Sequence, residues 1–365
     1  MSRWVRQHIG QMKGYAPGFQ PASGHVTKLN TNENPYAPST AVLKALSSVD
    51  ADALRKYPPP LADGFRDVAA QVHGVERANV IATNGGDELL RLVVTTFVEP
   101  GRPIGVLDPS YSLYPVLAEL HGSPIVSVEM SSDWSIPRDF AERMNDAGAS
   151  LVMVVNPHAP SGALTEIDAL ETLASRLNAV LLIDEAYVDF VDPEREHDLV
   201  PMIRRFDNVI LLRSLSKGYS LAGLRFGYGL APESLIEPML TKTRDSYNVD
   251  SIAQRLATAA LESRADARRS WSLVRAERER VRSGLQALDF DVPPSQSNFV
   301  LCTVPGGRQA AEALLSALER EEIFVRHFGA PRIADKLRIT IGTPSQNDRL
   351  LLAIAQWHRG RSIDS

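Results

Sequence analysis

The chain has one cysteine, Cys302, among 365 residues, so it holds no intrachain disulfide framework and no cysteine-rich metal site. A buried place for Cys302 and a reducing cytoplasm are the expectation, and no metal is expected. No apolar run approaches the ~20 residues of a membrane span. The first twenty residues, MSRWVRQHIGQMKGYAPGFQ, also lack the apolar segment of a signal peptide. Positive charge is not in excess: 39 Lys and Arg stand against 44 Asp and Glu, for a formal net charge of -5. That balance excludes a general nucleic-acid binder, because affinity for a phosphate backbone needs a basic face. Repeats and low-complexity segments are missing too. What is present, 44% hydrophobic and 23% charged residues, suffices for a sizeable core and for two domains.

The stretch 211–229, LLRSLSKGYSLAGLRFGYG, is the most informative. Its apolar start reads as a buried strand that delivers Lys217 to a crevice. Ser214 and Ser216 are hydrogen-bond donors suited to a phosphate, Arg225 is a cation suited to neutralising one, and a free lysine amine attacks an aldehyde carbon. Read alone, S-x-S-K is equally the pattern of a solvated loop lysine.

Residues 1–40 are rich in Gly, Pro and Asn and suit an extended arm, with Tyr15 either a substrate contact or an anchoring aromatic. A short helix capped by Ser39 follows, and then Tyr57 before three prolines, on a stiff exposed turn. The strand-like run Val80 to Ala82 leads into Gly85-Gly86-Asp87 and a helix. The diglycine turn is either a capped helix, with Asp87 as the cap, or an anion site at a helix start. Further apolar runs at 104–107, 125–128, 151–155, 180–183, 209–212 and 226–230 alternate with helical patterns, which predicts a mostly parallel sheet flanked by helices. Ligands of such sheets bind at the carboxyl ends of the strands. The loops 108–111 (DPSY), 156–162 (NPHAPSG) and 184–187 (DEAY) all follow strands and should converge there. From Arg264 to Leu288 interleaved Arg and Glu read as a solvated helix face. It leads to a smaller α+β part with strand-like 298–303, 324–326 and 337–341 and a helix over 308–321.

Taken together, LNTNENPYAPS, RKYPPP, TNGGDEL, DPSYSLY, NPHAPSG, LLIDEAYVDF, SLSKGYSLAGLRFGY and LRITIGT occur in the order and spacing of the fold-type I pyridoxal-phosphate aminotransferases. The chain most resembles the histidinol-phosphate aminotransferase family. The resemblance implies a large cofactor-binding domain over 43–264 and a small domain made of 1–42, the N-terminal arm included, and 265–365. It implies that Lys217 forms the Schiff base with pyridoxal 5'-phosphate and later moves the substrate proton. Asp184 pairs with the pyridine nitrogen, Tyr187 bonds the cofactor O3′ and Tyr111 stacks on the ring. Gly85, Gly86, Asp87, Ser214, Ser216, Arg225 and Tyr57 of a partner subunit surround the phosphate, which implies a homodimer with shared active sites. Arg338, Arg326, Tyr15 and Asn34 form the substrate pocket for a small-molecule amino donor and a 2-oxo acid. Two guanidiniums accept carboxylate or phosphate in bidentate fashion. The reaction implied is imidazole acetol phosphate + glutamate ⇌ histidinol phosphate + 2-oxoglutarate. The alternatives are an aromatic or specialised-metabolite aminotransferase, or a decarboxylase of a phosphorylated amino acid.

One position departs from the family. Its strand-end loop usually reads N-P-N-N-P-T-G, with the second Asn donating an amide hydrogen bond to O3′; here that position is Ala159. Tyr187 is then the remaining donor unless His158, Ser161 or a water substitutes.

Overall fold

The computed structural model describes residues 2–21 and 26–363; residues 22–25 of the expected arm lie outside the described residues. Its strands, in chain order, are β1 Thr27–Lys28, β2 Val80–Thr83, β3 Ile104–Asp108, β4 Ile125–Glu129, β5 Leu151–Val155 and β6 Val180–Asp184. They continue with β7 Val209–Ser214, β8 Gly227–Leu230, β9 Phe299–Thr303, β10 Ile323–Phe324, β11 Arg326–His327 and β12 Lys336–Thr340. Seven of them form one sheet in the order β2-β8-β7-β6-β5-β3-β4. Strand β8 runs antiparallel to β7 and β2, and the other neighbouring pairs are parallel.

The central strands are continuous Val, Ile, Leu and Met runs because both faces are covered, and alternation decides which side chain serves which face. Val152, Val154, Leu181, Ile183, Val209 and Leu211 enter one apolar cluster with Phe65, Phe140 and Leu170 from the helices Asp63–His73, Phe140–Asp146 and Ile167–Arg176. Leu151, Met153, Val155, Leu182, Ile210 and Leu212 enter a second cluster with Leu89 and Tyr114 from the helices Gly85–Phe97 and Leu113–His121. Asp184 continues the parity of Leu182, so its carboxyl is directed to the second face, where Tyr114 lies.

The smaller sheet has the order β11-β12-β9 and is antiparallel. The N-terminal segment is stitched to it: β1 pairs with β10, and the Thr340 N–H donates to the Leu29 carbonyl (2.9 Å). The arm is not wholly extended, since Gln7–Gln11 forms a short helix.

Three expectations are adjusted. The helix after β2 begins at Gly85 with Asn84 at its cap, so Asp87 sits in the first turn and does not cap it. The run 324–326 does not form one strand: Phe324 pairs with β1 while Arg326 pairs with β12, so the chain changes sheets at Val325. The charged run forms one helix, Arg264–Gln286, as expected. Its Arg278 is fully buried rather than solvated, donating to the carbonyls of Phe190 (2.9 Å) and Ser297 (3.2 Å) and pairing with Asp192 (2.8 Å). Periodicity alone gave no sign of those acceptors. Cys302 is buried, and burial pushes its thiol up to about 12. Among the described residues no helix is long and apolar enough to cross a membrane, and no group of three or more His, Cys, Asp or Glu side chains is placed to hold a metal ion.

Candidate active site

Strand direction assembles the site. The parallel strands present their carboxyl ends along one edge of the sheet, and β8, running the other way, presents its amino end there. Thr83, Gly227 and Ser214 are therefore register partners in one row. The residues that flank that row (Gly85 after β2, Arg225 before β8 and Ser216 after β7) are brought together although they are far apart in sequence. Close approach here requires glycine. A Cβ on Gly85, whose φ is +77°, would lie 2.7 Å from the Arg225 guanidinium, and a Cβ on Gly227 would lie 2.8 Å from the Gly85–Gly86 peptide. The helix Gly85–Phe97 thus points its free N–H groups, and the positive end of its dipole, toward Arg225. Asp87 accepts from Arg225 (3.4 Å) and from the Tyr111 hydroxyl (3.2 Å). The Ser214 hydroxyl accepts from the Ser216 N–H (3.1 Å).

Asp184 ends β6 between Val155 and Leu212. It is buried, and burial raises its carboxyl to about 6, against the hydrogen bonds from the Ala186 N–H (3.1 Å) and the Tyr114 hydroxyl (3.2 Å). Lys217 lies within Coulombic reach of it. The Lys217 amine donates to the Thr31 carbonyl (2.8 Å), and burial, then the Arg338 guanidinium, lower it to about 8. Roughly a tenth of that amine is consequently neutral at pH 7, far more than for an ordinary lysine. The adjoining Gly218 carbonyl is clamped by the Trp271 indole N–H (2.6 Å) and the Asn34 amide (3.3 Å).

Tyr187 completes the group. Its ring meets Phe299 edge-on (5.1 Å), and its oxygen accepts from the Asn32 amide (3.0 Å). Tyr111 meets Tyr114 and Tyr15 edge-on, at 5.6 and 6.1 Å. Burial pushes the Tyr111 hydroxyl well up. On the small sheet Arg326 and Arg338 are directly opposed across β11 and β12. Neither has an acidic partner among the described residues. Arg338 lies over the rings of Phe299 (5.2 Å) and Phe328 (5.4 Å) and donates to the Asn30 carbonyl (3.1 Å), while its buried Nε–H has no partner among the described residues. Burial lowers its proton affinity, and Arg326 opposite lowers it further. An amine that holds its proton less tightly than usual, an acid near it, a cation at a helix start and, from the small sheet, two guanidiniums without acidic partners among the described residues are thus brought together.

A family model described as aminotransferase class I and II matches residues 24–354. The chain belongs to the class I and II aminotransferases. Among curated aminotransferases it is 40% identical to histidinol-phosphate aminotransferase 1 of Trichormus variabilis, over 97% of this chain and 99% of that protein. It is 41% identical to the histidinol-phosphate aminotransferase of Synechocystis, over 96% and 97%. In three dimensions it is similar to the histidinol-phosphate aminotransferase of Sinorhizobium meliloti, solved with pyridoxal-5'-phosphate, with a TM-score of 0.91, 24% identity and 99% of both chains covered.

Two of the residues expected in an aminotransferase site are placed differently from the rest. Tyr57 is 80% exposed and stacks on Tyr247 (4.4 Å). Asn34 bonds Gly218 and Ser270 (3.1 Å), so its amide supports the Lys217 loop. Four residues were not singled out from sequence: Thr31 and Asn32, which hold the amine and the phenol, and Tyr114 and Trp271, which brace Asp184 and Gly218. The first three lie in the motifs LNTNENPYAPS and DPSYSLY, but nothing in spacing assigns them their partners. The loop around Ala159 is closed on itself: His158 bonds Ser161 (2.7 Å) and the Pro109 carbonyl (2.8 Å), and burial lowers the imidazole to about 4.

Proposed function

We propose that this protein transfers an amino group between histidinol phosphate and 2-oxoglutarate with pyridoxal 5'-phosphate as cofactor. The observation that carries the reading is the opposed pair Arg326 and Arg338 on the cleft side of β11 and β12, without carboxylate partners among the described residues. Buried or half-buried guanidiniums in that state call for an anionic ligand, and the same pair serves a phosphate monoester and a dicarboxylate in turn.

The residues fit the cofactor on the evidence of their chemistry. The glycine cradle at Gly85 leaves room that a Cβ would fill, Arg225 and the helix start favour an anion, and Asp184 has no cationic hydrogen-bond partner among the described residues. When bound, pyridoxal phosphate supplies an aldehyde that exchanges amino groups and a protonated ring that accepts an electron pair. Everything else is the work of this chain. Gly86, Asp87, Ser214, Ser216 and Arg225 would hold the phosphate, Asp184 would keep a proton on the pyridine nitrogen, and Tyr111 and Tyr187 would hold the ring and its oxygen. Lys217 Nζ would hold the cofactor at its aldehyde end and would move the proton at the substrate Cα. Arg326 and Arg338, with Tyr15, orient the anionic end of either substrate.

The reading includes a cytoplasmic homodimer in which the exposed Tyr57 of one subunit reaches the phosphate of the other, and the division into domains at 43–264 and 1–42 with 265–365. The exposure of Tyr57 and of Arg225 supports the shared phosphate site.

A half-reaction screen tests the function: histidinol phosphate, glutamate and phenylalanine are added separately to the yellow holoenzyme, and conversion to the pyridoxamine form is followed by absorbance. Conversion by histidinol phosphate and glutamate, at rates well above phenylalanine, is expected. Preference for phenylalanine would move the assignment to an aromatic aminotransferase, and carbon dioxide release from O-phosphothreonine to a decarboxylase.

A further inference from the structure

The Tyr187 phenol has two hydrogen-bonding roles, one as acceptor and one as donor, and the structure shows which is used internally. Asn32 decides it. This residue is buried and sits in the left-handed region at φ 57°, which Asn tolerates better than most side chains. Its backbone N–H donates to Thr340 Oγ1 (3.0 Å), so that oxygen is an acceptor and its own hydrogen needs another place. The place is Asn32 Oδ1, also at 3.0 Å. The reversed amide would leave the Thr340 hydroxyl hydrogen with no acceptor among the described residues. With Oδ1 committed to Thr340, Nδ2 must face Tyr187, and it does, at 3.0 Å from the phenol oxygen. The Asn298 amide fixes the Asn32 carbonyl (2.9 Å), closing the ring of contacts.

We infer that Asn32 is a positioning residue: by donating to the Tyr187 oxygen it compels the phenol to direct its own proton into the site, toward the cofactor's ring oxygen. This rests on the reading given under the proposed function. Among the described residues the Tyr187 hydroxyl accepts from Asn32 and donates to no group. The nearby loop offers no substitute, because Ala159 has no donor and His158 and Ser161 bond each other. A second lock comes from Thr340 on β12, so the arm, the small sheet and the phenol are set together.

A donor to the ring oxygen favours the state in which that oxygen is fully anionic, reached when the neighbouring Lys217 nitrogen loses its proton. Weakening the donor therefore holds that proton to higher pH. The other groups facing Tyr187 are Arg338 from β12, Asp184 from β6, and Tyr15, Tyr111 and Tyr114; their influence is common to all variants and cancels in a double-mutant comparison.

The test is an absorbance pH titration of the holoenzyme, reading the midpoint of its visible band, for wild type, N32G, N32D, Y187F and the N32G/Y187F pair. Glycine keeps the positive φ and removes the amide; aspartate keeps the shape and accepts the phenol proton. Y187F and N32D should raise the midpoint by roughly one pH unit, a tenfold change in proton affinity, and N32G by about half as much. In the Y187F background N32G should add nothing. Thermal unfolding run alongside identifies variants that do not fold, and Thr340→Val, which frees the amide without touching Asn32, should give a rise of the same sign. An N32G midpoint equal to wild type while Y187F shifts would overturn the inference. An N32G shift that persists without the Tyr187 hydroxyl would overturn it as well. A wild-type protein that acquires no visible band with pyridoxal phosphate would instead sink the cofactor reading itself, and this inference with it.

Discussion

Two sets of arginines occupy the interior of this protein in opposite states. Arg213 pairs with Glu185 at 2.7 Å, with both side chains almost fully enclosed, and Arg278 pairs with Asp192 and two carbonyls. Burial raises Glu185 to about 7 even so, because the enclosure opposes its charge more strongly than Arg213 favours it. Arg326 and Arg338 face one another across β11 and β12 and have no carboxylate among the described residues. The first set is completed by the fold; the second is left incomplete. Repulsion and desolvation between opposed guanidiniums are tolerated where a ligand supplies the counter-charge, and that contrast separates structural from substrate-binding cations more reliably than burial does.

The strongest way to break the comparison is to remove one member of each set. Arg338→Met should lower kcat/KM for histidinol phosphate by ~10³-fold, since truncating one partner of a desolvated charge pair is costly, while leaving the urea midpoint unchanged or higher. Steady-state kinetics beside a denaturation curve checks both halves. Arg213→Met should behave in the reverse sense: a loss of about 3 kcal/mol in stability from the stranded Glu185, largely restored by adding Glu185→Leu, with KM little altered. If Arg338→Met unfolded the protein as readily as Arg213→Met, the distinction would be wrong.

A finer prediction concerns the amine between the two sets. Lys217 is lowered to about 8 first by burial and then by Arg338. Capture of pyridoxal phosphate by the cofactor-free protein depends on the neutral amine, so its rate should rise with pH through a midpoint near 8. Removing the Arg338 charge makes the protonated amine less unfavourable, so Arg338→Met should move that midpoint upward. A downward shift in a stopped-flow pH series would contradict the sign. The smallest effect expected is at Ala159. Ala159→Asn adds a second donor at the loop beside β5, and should lower the visible-band midpoint of the holoenzyme by less than about one pH unit. An unchanged midpoint would show that the loop does not reach the ring oxygen.

Much of this was legible in the chain. The apolar runs marked the parallel strands because strands covered on both faces read as uninterrupted hydrophobic segments. The loops after them could be collected because ligands gather at strand carboxyl ends. The reading went wrong where a side chain's partner is distant in sequence. Arg278 looked like one of many solvated helix charges, yet its acceptors are Phe190 and Ser297, and it is the packing of the helix against them that buries it. Asp87 looked like a cap, yet the helix begins two residues earlier.

The residues themselves settled the chemical inventory: which amine, which acid, which cations, and in what order along the chain. Tertiary structure alone decided their pairing. The reversed direction of β8 sets Arg225 against Gly85, the arm threads Asn32 between Tyr187 and Thr340, and antiparallel β11 and β12 oppose two like charges. Periodicity reports which face a side chain occupies, whereas hydrogen-bond direction and unmet charge depend on what the fold brings to that face.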